Sequence, residues 1–103
     1  MAKAAVMTAT TAAGQVRIAN RRGLHARAAA KFVQLAESFD AGITVCKDGM
    51  NMAEEGVCGT SIMGLMLLAA SSGSLLHISA SGAQAGEAVA ALSALVESRF
   101  GEE

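Results

Sequence analysis

The chain has 103 residues, 52% of them hydrophobic and 17% charged, with a mean hydropathy of +0.42, which fits one domain with its own core and excludes disorder over most of its length. No apolar run reaches the ~18 residues of a membrane span, Ile62 to Ala70 being the best, and the opening MAKAAVMTATTAAG is a poor secretory signal. The formal net charge of −1 hides an asymmetry: residues 1–36 hold Lys3, Arg17, Arg21, Arg22, Arg27 and Lys31 and no acid, whereas residues 37–103 set Lys47 and Arg99 against nine acids.

Residues 1–14 are Thr- and Ala-rich without periodicity and read as a flexible tail, leaving a domain over 15–101. Val16 to Asn20 alternates weakly and predicts a short first strand, followed by an Arg21-Arg22-Gly23 loop. From Ala26 the period becomes helical. Ala29, Phe32, Val33 and Ala36 recur at i, i+3, i+4 and i+7, Leu35 and Phe39 widen the stripe, and Arg27, Lys31, Gln34 and Ser38 form the wet face. Gly42 marks a turn just beyond the helix.

Ile43 to Lys47 reads as a strand, and Asp48-Gly49 as a hairpin, because glycine takes positive φ without steric cost. Met50-Asn51-Met52 is expected to begin the returning strand; Ala53 to Gly59 is ambiguous, with Glu54-Glu55-Gly56 reading as a bulge or loop. Thr60-Ser61 precedes Ile62 to Leu68, and a hydroxyl ahead of an apolar run is a helix N-cap signal. This short helix is apolar nearly all round, so one side faces the core and the other is covered or docks. Ser71-Ser72-Gly73 turns the chain, and Leu76, Ile78 and Ala80 alternate with His77 and Ser79 in a last strand. After Gly82, Ala85, Ala88, Val89, Leu92, Val96 and Phe100 share one helical face. The order β-α-β-β-α-β-α predicts an α+β fold: a four-stranded antiparallel sheet with three helices on one face.

His25 stands out chemically. It lies just ahead of a helix start, where unpaired N–H groups and a partial positive charge favour a phosphoryl group. Arg27, two residues on, has the donors for charge-assisted bonds to phosphate oxygens, and a neutral imidazole is a competent nucleophile. The same local sequence also suits a plain histidine in a polar loop at a helix cap. The basic N-terminal third likewise reads either as an attractor of anionic groups and acidic partners or as a solvated surface of uneven charge. Three Phe and no Trp or Tyr leave no platform for stacking bases, which argues against nucleic-acid binding and against a ferredoxin-like RNA-binding domain of similar element order. Cys46, Cys58, His25 and His77 lack zinc spacing, and the two cysteines read as reduced thiols. His77 falls on the solvent side of its strand. Met50, Met52, Met63 and Met66 read as adaptable core and docking residues.

The segment Gly23-Leu24-His25-Ala26-Arg27-Ala28-Ala29-Ala30-Lys31-Phe32-Val33 resembles the active-site segment of the HPr family, the histidine-containing phosphocarriers of the phosphoenolpyruvate-dependent phosphotransferase system. Gly59-Thr60-Ser61-Ile62-Met63-Gly64-Leu65-Met66 resembles that family's regulatory serine and its helix. The resemblance spans about residues 15–101 and implies an open-faced β-sandwich in a cytoplasmic carrier that bears a transient phosphohistidine rather than turning over substrate as an enzyme. It implies that His25 accepts the phosphoryl group on Nδ1 and that Arg27 contacts it. It further implies that enzyme I donates, a IIA domain receives, and neither a metal nor a cofactor is needed. Ser61 is similar to the serine modified by a dedicated kinase/phosphorylase in some members, and it also reads as a plain cap worth ~1 kcal/mol. Lys31, Leu65 and Leu68 are the expected partner-docking residues. The rival roles are a regulatory branch in nitrogen or carbon signalling and an effector acting through Ser61 alone.

Two features depart from the family pattern. Ala28 stands where the family usually has proline, which adds a backbone N–H in the first helical turn. The Gly49 to Ser61 segment is a few residues longer than usual, with the excess near Ala53-Glu54-Glu55-Gly56.

Overall fold

The computed structural model describes residues 10–102. Four strands, β1 (Thr11–Arg17), β2 (Gly42–Lys47), β3 (Val57–Cys58) and β4 (Leu75–Ser81), form one antiparallel sheet in the order β1-β4-β2-β3. Four helices alternate with them: α1 (Ala26–Glu37), α2 (Met52–Glu55), α3 (Ile62–Leu67) and α4 (Ala85–Glu97), the last followed by a 3-10 turn over Arg99–Gly101. The α+β open sheet is as expected, with one helix more than the three predicted.

The first strand starts earlier than the sequence suggests. Thr11 to Gly14 belong to β1 and pair with β4 in the register Thr11↔Ser81 through Arg17↔Leu75. The flexible-tail expectation is therefore overturned for these residues, and for residues 1–9 it lies outside the described residues. Small side chains gave the segment no apolar alternation, and its pairing with β4 supplies the order instead. Ile18 and Asn20, expected in the strand, lie beyond its end, both buried.

The returning strand also differs. Gly49 turns the hairpin with φ +95, but Met50 to Met52 do not pair back at once. Asn51 caps α2: its Oδ1 accepts from Ala53 N–H at 2.9 Å and Glu54 N–H at 3.3 Å, while its own N–H donates to Glu55 Oε1 at 2.8 Å. This reciprocal capping satisfies backbone donors locally and outcompetes the ladder. Only Val57 and Cys58 then pair with Val45 and Thr44. The extra residues in this connection are thus a one-turn helix at the sheet edge.

The core lies between sheet and helices. Val16, Ile43, Val45, Leu76, Ile78 and Ala80 point into it from the strands, and Phe32, Leu65, Leu92, Val96 and Phe100 meet them. Helix α4 packs on β1 and β4, and α1 packs against α3 and α4. Ser61 is the α3 N-cap, its Oγ accepting from Gly64 N–H at 2.9 Å. Packing of α3 against α1 turns Leu65 inward at 0% exposure and Leu68 at 3%. This corrects their expected docking role: both are core residues. The outward face carries Met63 at 72% and Leu67 at 78% exposed, flanked by Ile62 and Met66.

That orientation separates two neighbouring leucines. Leu65→Ala is expected to cost about 2–5 kcal/mol in denaturant unfolding, the usual cost of a core cavity. Leu67→Ala should stay within about 0.5 kcal/mol. Equal losses would contradict the assigned face.

Candidate functional site

The site is built on a backbone crossing. Ile18 N–H donates to Ser74 O at 2.9 Å and Gly73 N–H to Ile18 O at 2.7 Å, which ties the loop after β1 to the loop before β4. Gly23 then passes so close to the chain after α3 that a Cβ on it would sit 2.6 Å from Ala70 O and 2.8 Å from Ser71 Cα. Its φ of +70 also favours glycine. Leu24 is buried and its N–H donates to Ala70 O at 2.9 Å.

The next residue, His25, is the N-cap of α1, with extended backbone (φ −79, ψ 178) and no cap bond from its side chain. Its ring is partly exposed. The first-turn N–H groups beyond it have no intrahelical acceptor and carry the positive end of the helix dipole. Buried Ala28, Ala29 and Phe32 seat this end of the helix on the core.

A cleft of about 410 Å³ is lined by Arg21, Arg22, Arg27, Lys31, Gly101 and Glu102, the last of which also touches the ring. The C-terminal turn forms one wall. Arg99, Phe100 and Gly101 have φ of 62, 55 and 76 in succession. For the two residues that carry a side chain, such backbone costs about 1 kcal/mol or more each. Full burial of Phe100 offsets that cost, and Lys31 Nζ donates to the Phe100 carbonyl at 2.7 Å. Phe100 thus reaches the core through this left-handed turn and not as part of the α4 face.

The turn returns Glu102 to the histidine. Glu102 Oε2 lies 2.5 Å from His25 Nε2, and Oε1 accepts from Asn20 Nδ2 at 3.2 Å. Asn20, 1% exposed, also donates to Gly23 O at 2.8 Å, and its Oδ1 is buried with no partner among the described residues. Desolvation tends to raise the Glu102 carboxyl. The hydrogen bonds from His25 and Asn20, with the electrostatic influence of His25 and Arg22, outweigh it and hold the carboxyl below the ordinary carboxylate value.

The structure therefore brings His25, Arg27 and Lys31 to one end of the molecule, although the Lys31 ammonium is engaged by the C-terminal turn. Ser61 stands outside the cleft. His77 is also apart from it, its Nε2 2.8 Å from Asp48 Oδ1. Cys46 is buried, and burial, with the charges of Glu55 and Asp48, pushes its thiol up. Sequence reasoning missed Asn20 and Glu102, and it placed Arg21 and Arg22 in the basic N-terminal third and in a loop without assigning them to the site. Glu102 is 77 residues from His25 in sequence, so no local spacing connects them.

Residues 12–98 match the protein family described as "PTS HPr component phosphorylation site". The phosphocarrier protein HPr of Pseudomonas aeruginosa is 46% identical over 88 residues, covering 85% of this chain and 93% of its own length. That of Neisseria meningitidis is 42% identical over 87 residues, covering 84% and 92%. The phosphocarrier protein NPr of Shewanella violacea is 39% identical over 88 residues, covering 85% and 91%. Among solved structures, HPr-C-His from Thermoanaerobacter tengcongensis superposes with a TM-score of 0.79 at 44% identity, covering 89% of this chain and 98% of that one. The fold, the match over most of the domain and the cation-rich helix terminus at His25 agree: the chain belongs to the HPr family of phosphotransferase-system phosphocarriers.

Proposed function

We propose that His25 accepts a phosphoryl group from enzyme I and hands it to a IIA domain in the cytoplasm. The supporting observation is the partly exposed His25 ring at an N-cap with no side-chain cap, in contact with Glu102 of a cleft otherwise walled by Arg21, Arg22, Arg27, Lys31 and Gly101. In the accepting step the ring nitrogen Nδ1 forms a bond to phosphorus as the bond from phosphorus to the donor breaks. In the giving step the same bond breaks toward the acceptor. The side chains supply position and charge: Arg27 and the first-turn N–H groups face the charge on the phosphoryl oxygens. Ala28 contributes a backbone N–H that proline would lack, so this site holds one more donor than the usual family pattern.

Docking falls to the apolar face of α3, Ile62, Met63, Met66 and Leu67, together with the cationic cleft, a combination suited to acidic partners with an apolar centre. Flexible methionines let one face fit both donor and acceptor. Phosphorylation of Ser61 by a serine kinase/phosphorylase would place nearly two negative charges at this face and oppose an acidic partner. The likeness to the Shewanella violacea NPr favours a second reading, service to a nitrogen or carbon signalling branch instead of sugar uptake. The identity of the IIA domain that receives label from the carrier separates the two.

Incubation with enzyme I and phosphoenolpyruvate should give an acid-labile, base-stable phosphate adduct. It should be absent in His25→Ala and form at least about tenfold more slowly in Arg27→Ala, the scale of losing one charge-stabilising donor. Labelling that survives loss of His25 would remove the mechanism. At Ser61, aspartate can still cap α3, so Ser61→Asp should weaken enzyme I binding with little change in thermal unfolding, whereas Ser61→Ala should cost about 1 kcal/mol of stability. Unaltered enzyme I affinity in Ser61→Asp would leave the serine a structural cap.

A further inference from the structure

We infer that the free edge of β1 pairs with β1 of a second copy of this chain, antiparallel across a two-fold axis at Gly14, joining two four-stranded sheets into one. The inference concerns the sheet edge and does not rest on the phosphocarrier reading of His25.

The two edges of the sheet are unlike. At one, β3 is two residues long and follows the one-turn α2. At the other, β1 runs for seven residues, paired with β4 in continuous register without a bulge. It holds no charge before Arg17, and the chain has no proline. Sheets blunt an exposed edge with brevity, charge, proline or a bulge, because unpaired N–H and C=O groups there recruit another strand. From Thr11 to Val16, β1 carries none of these guards.

The ladder selects the register. Thr10 O accepts from Gly82 N–H at one end, and Ile18 exchanges bonds with Gly73 and Ser74 at the other. The antiparallel alternation therefore turns the backbone groups of Ala12, Gly14 and Val16 toward β4. It leaves an N–H and a C=O from each of Thr11, Ala13, Gln15 and Arg17 at the free edge, with no backbone partner among the described residues. Pairing about Gly14 sets Thr11 opposite Arg17 and Ala13 opposite Gln15 of the second copy, so every one of these groups finds a partner. A two-fold at Ala13 or Gln15 would leave Arg17 or Thr11 without one in β1. The glycines on the axis form a non-hydrogen-bonded pair, whose Cα atoms approach to about 4.5 Å. No like charges face each other in this register.

Helix α4 supplies the second layer. The Gly82 bond to Thr10 places its start beside the start of β1, and a Cβ on Gly14 would lie 2.9 Å from Val89 Cγ1 and 3.7 Å from Ser93 Oγ. The helix thus runs along β1 in the same direction. Val89 and Ser93 mark its flank over β1, and Gly86, Ala90 and Glu97 extend that flank outward at helical spacing. All three are exposed, and a Cβ on Gly86 would meet nothing within 4 Å. The two-fold lays this flank antiparallel to its copy, where small side chains let the strands close. It also brings Glu97 to the start of the other α4, whose first-turn N–H groups carry positive charge and whose N-cap side chain makes no capping bond. The edge is therefore complementary to itself in hydrogen bonds, shape and charge, as a two-fold interface requires. The loop to His25 leaves the C-terminal end of β1, so the two histidine sites fall at opposite ends. Each α3 stays free, beside β3 at the far edge of its sheet.

Sedimentation velocity on the full chain at micromolar concentrations should show a species of twice the 10.4 kDa chain mass that grows with concentration. The amides of Thr11, Ala13, Gln15 and Arg17 should become protected from hydrogen exchange in step with it. Ala13→Pro removes a donor that the monomer does not use, at an edge position where proline is tolerated. It should weaken self-association about tenfold or more, since each copy loses a bond. Ala90→Glu sets a carboxylate from each copy near the axis, close to Glu97 of the other, and should weaken it likewise, with unchanged core amide spectra certifying the fold. A single species of monomer mass throughout, or a dimer that survives both substitutions, overturns the assignment. So does a monomer in which those four amides are already protected, because residues 1–9 then occupy the edge.

Discussion

The active end of the molecule depends on the contact between Gly23 and the backbone at Ala70 and Ser71. A side chain at residue 23 would strike Ala70 O at 2.6 Å, so only glycine permits the approach. Leu24 N–H seals it on one side, and the pairing of Ile18 with Gly73 and Ser74 seals it on the other. Two otherwise separate features are thereby fixed to each other: the histidine at the head of α1 and the apolar face of α3, whose chain runs directly into Ala70. Group transfer between proteins needs reacting atoms held to within about half an ångström of the productive geometry. A crossing of rigid backbone meets that need better than side-chain contacts alone.

The parts legible in the sequence are those whose signal is local. The stripe Ala29, Phe32, Val33 and Ala36 is continuous over two turns, and all four residues are buried. The alternation around His77 likewise lies within one strand, with Leu76, Ile78 and Ala80 all inside. Ser61 announces its helix by an N-cap preference that acts over three residues. What could not be read depends on partners distant in sequence. Thr11 to Gly14 are strand because β4 offers a register, and Gly14 fits because Val89 Cγ1 comes within 2.9 Å of where its Cβ would be. An apolar run such as Ile62 to Leu68 does not say which of its faces is inside; only α1 decides that Leu65 and Leu68 turn in while Leu67 turns out.

The site divides in the same way. His25 and Arg27 were visible because they are two residues apart at a helix start. The carboxylate and the amide that complete the arrangement come from residues 102 and 20, joined only after the left-handed turn closes over Phe100. Periodicity alone carries Phe100 onto the helical stripe of α4, and its burial agrees. The backbone route to that burial is different, and the route is what aims Glu102.

The mixture of charges follows from what a carrier must do. A cleft of cations alone would hold a phosphoryl group well and surrender it poorly, since binding that stabilises the loaded state also raises the barrier to unloading it. Glu102 lines the same cleft as the cations and opposes part of that attraction. Arg22, near enough to Glu102 to help keep it ionised, couples the two effects. The balance between the two sets how readily the bond to phosphorus is made and broken.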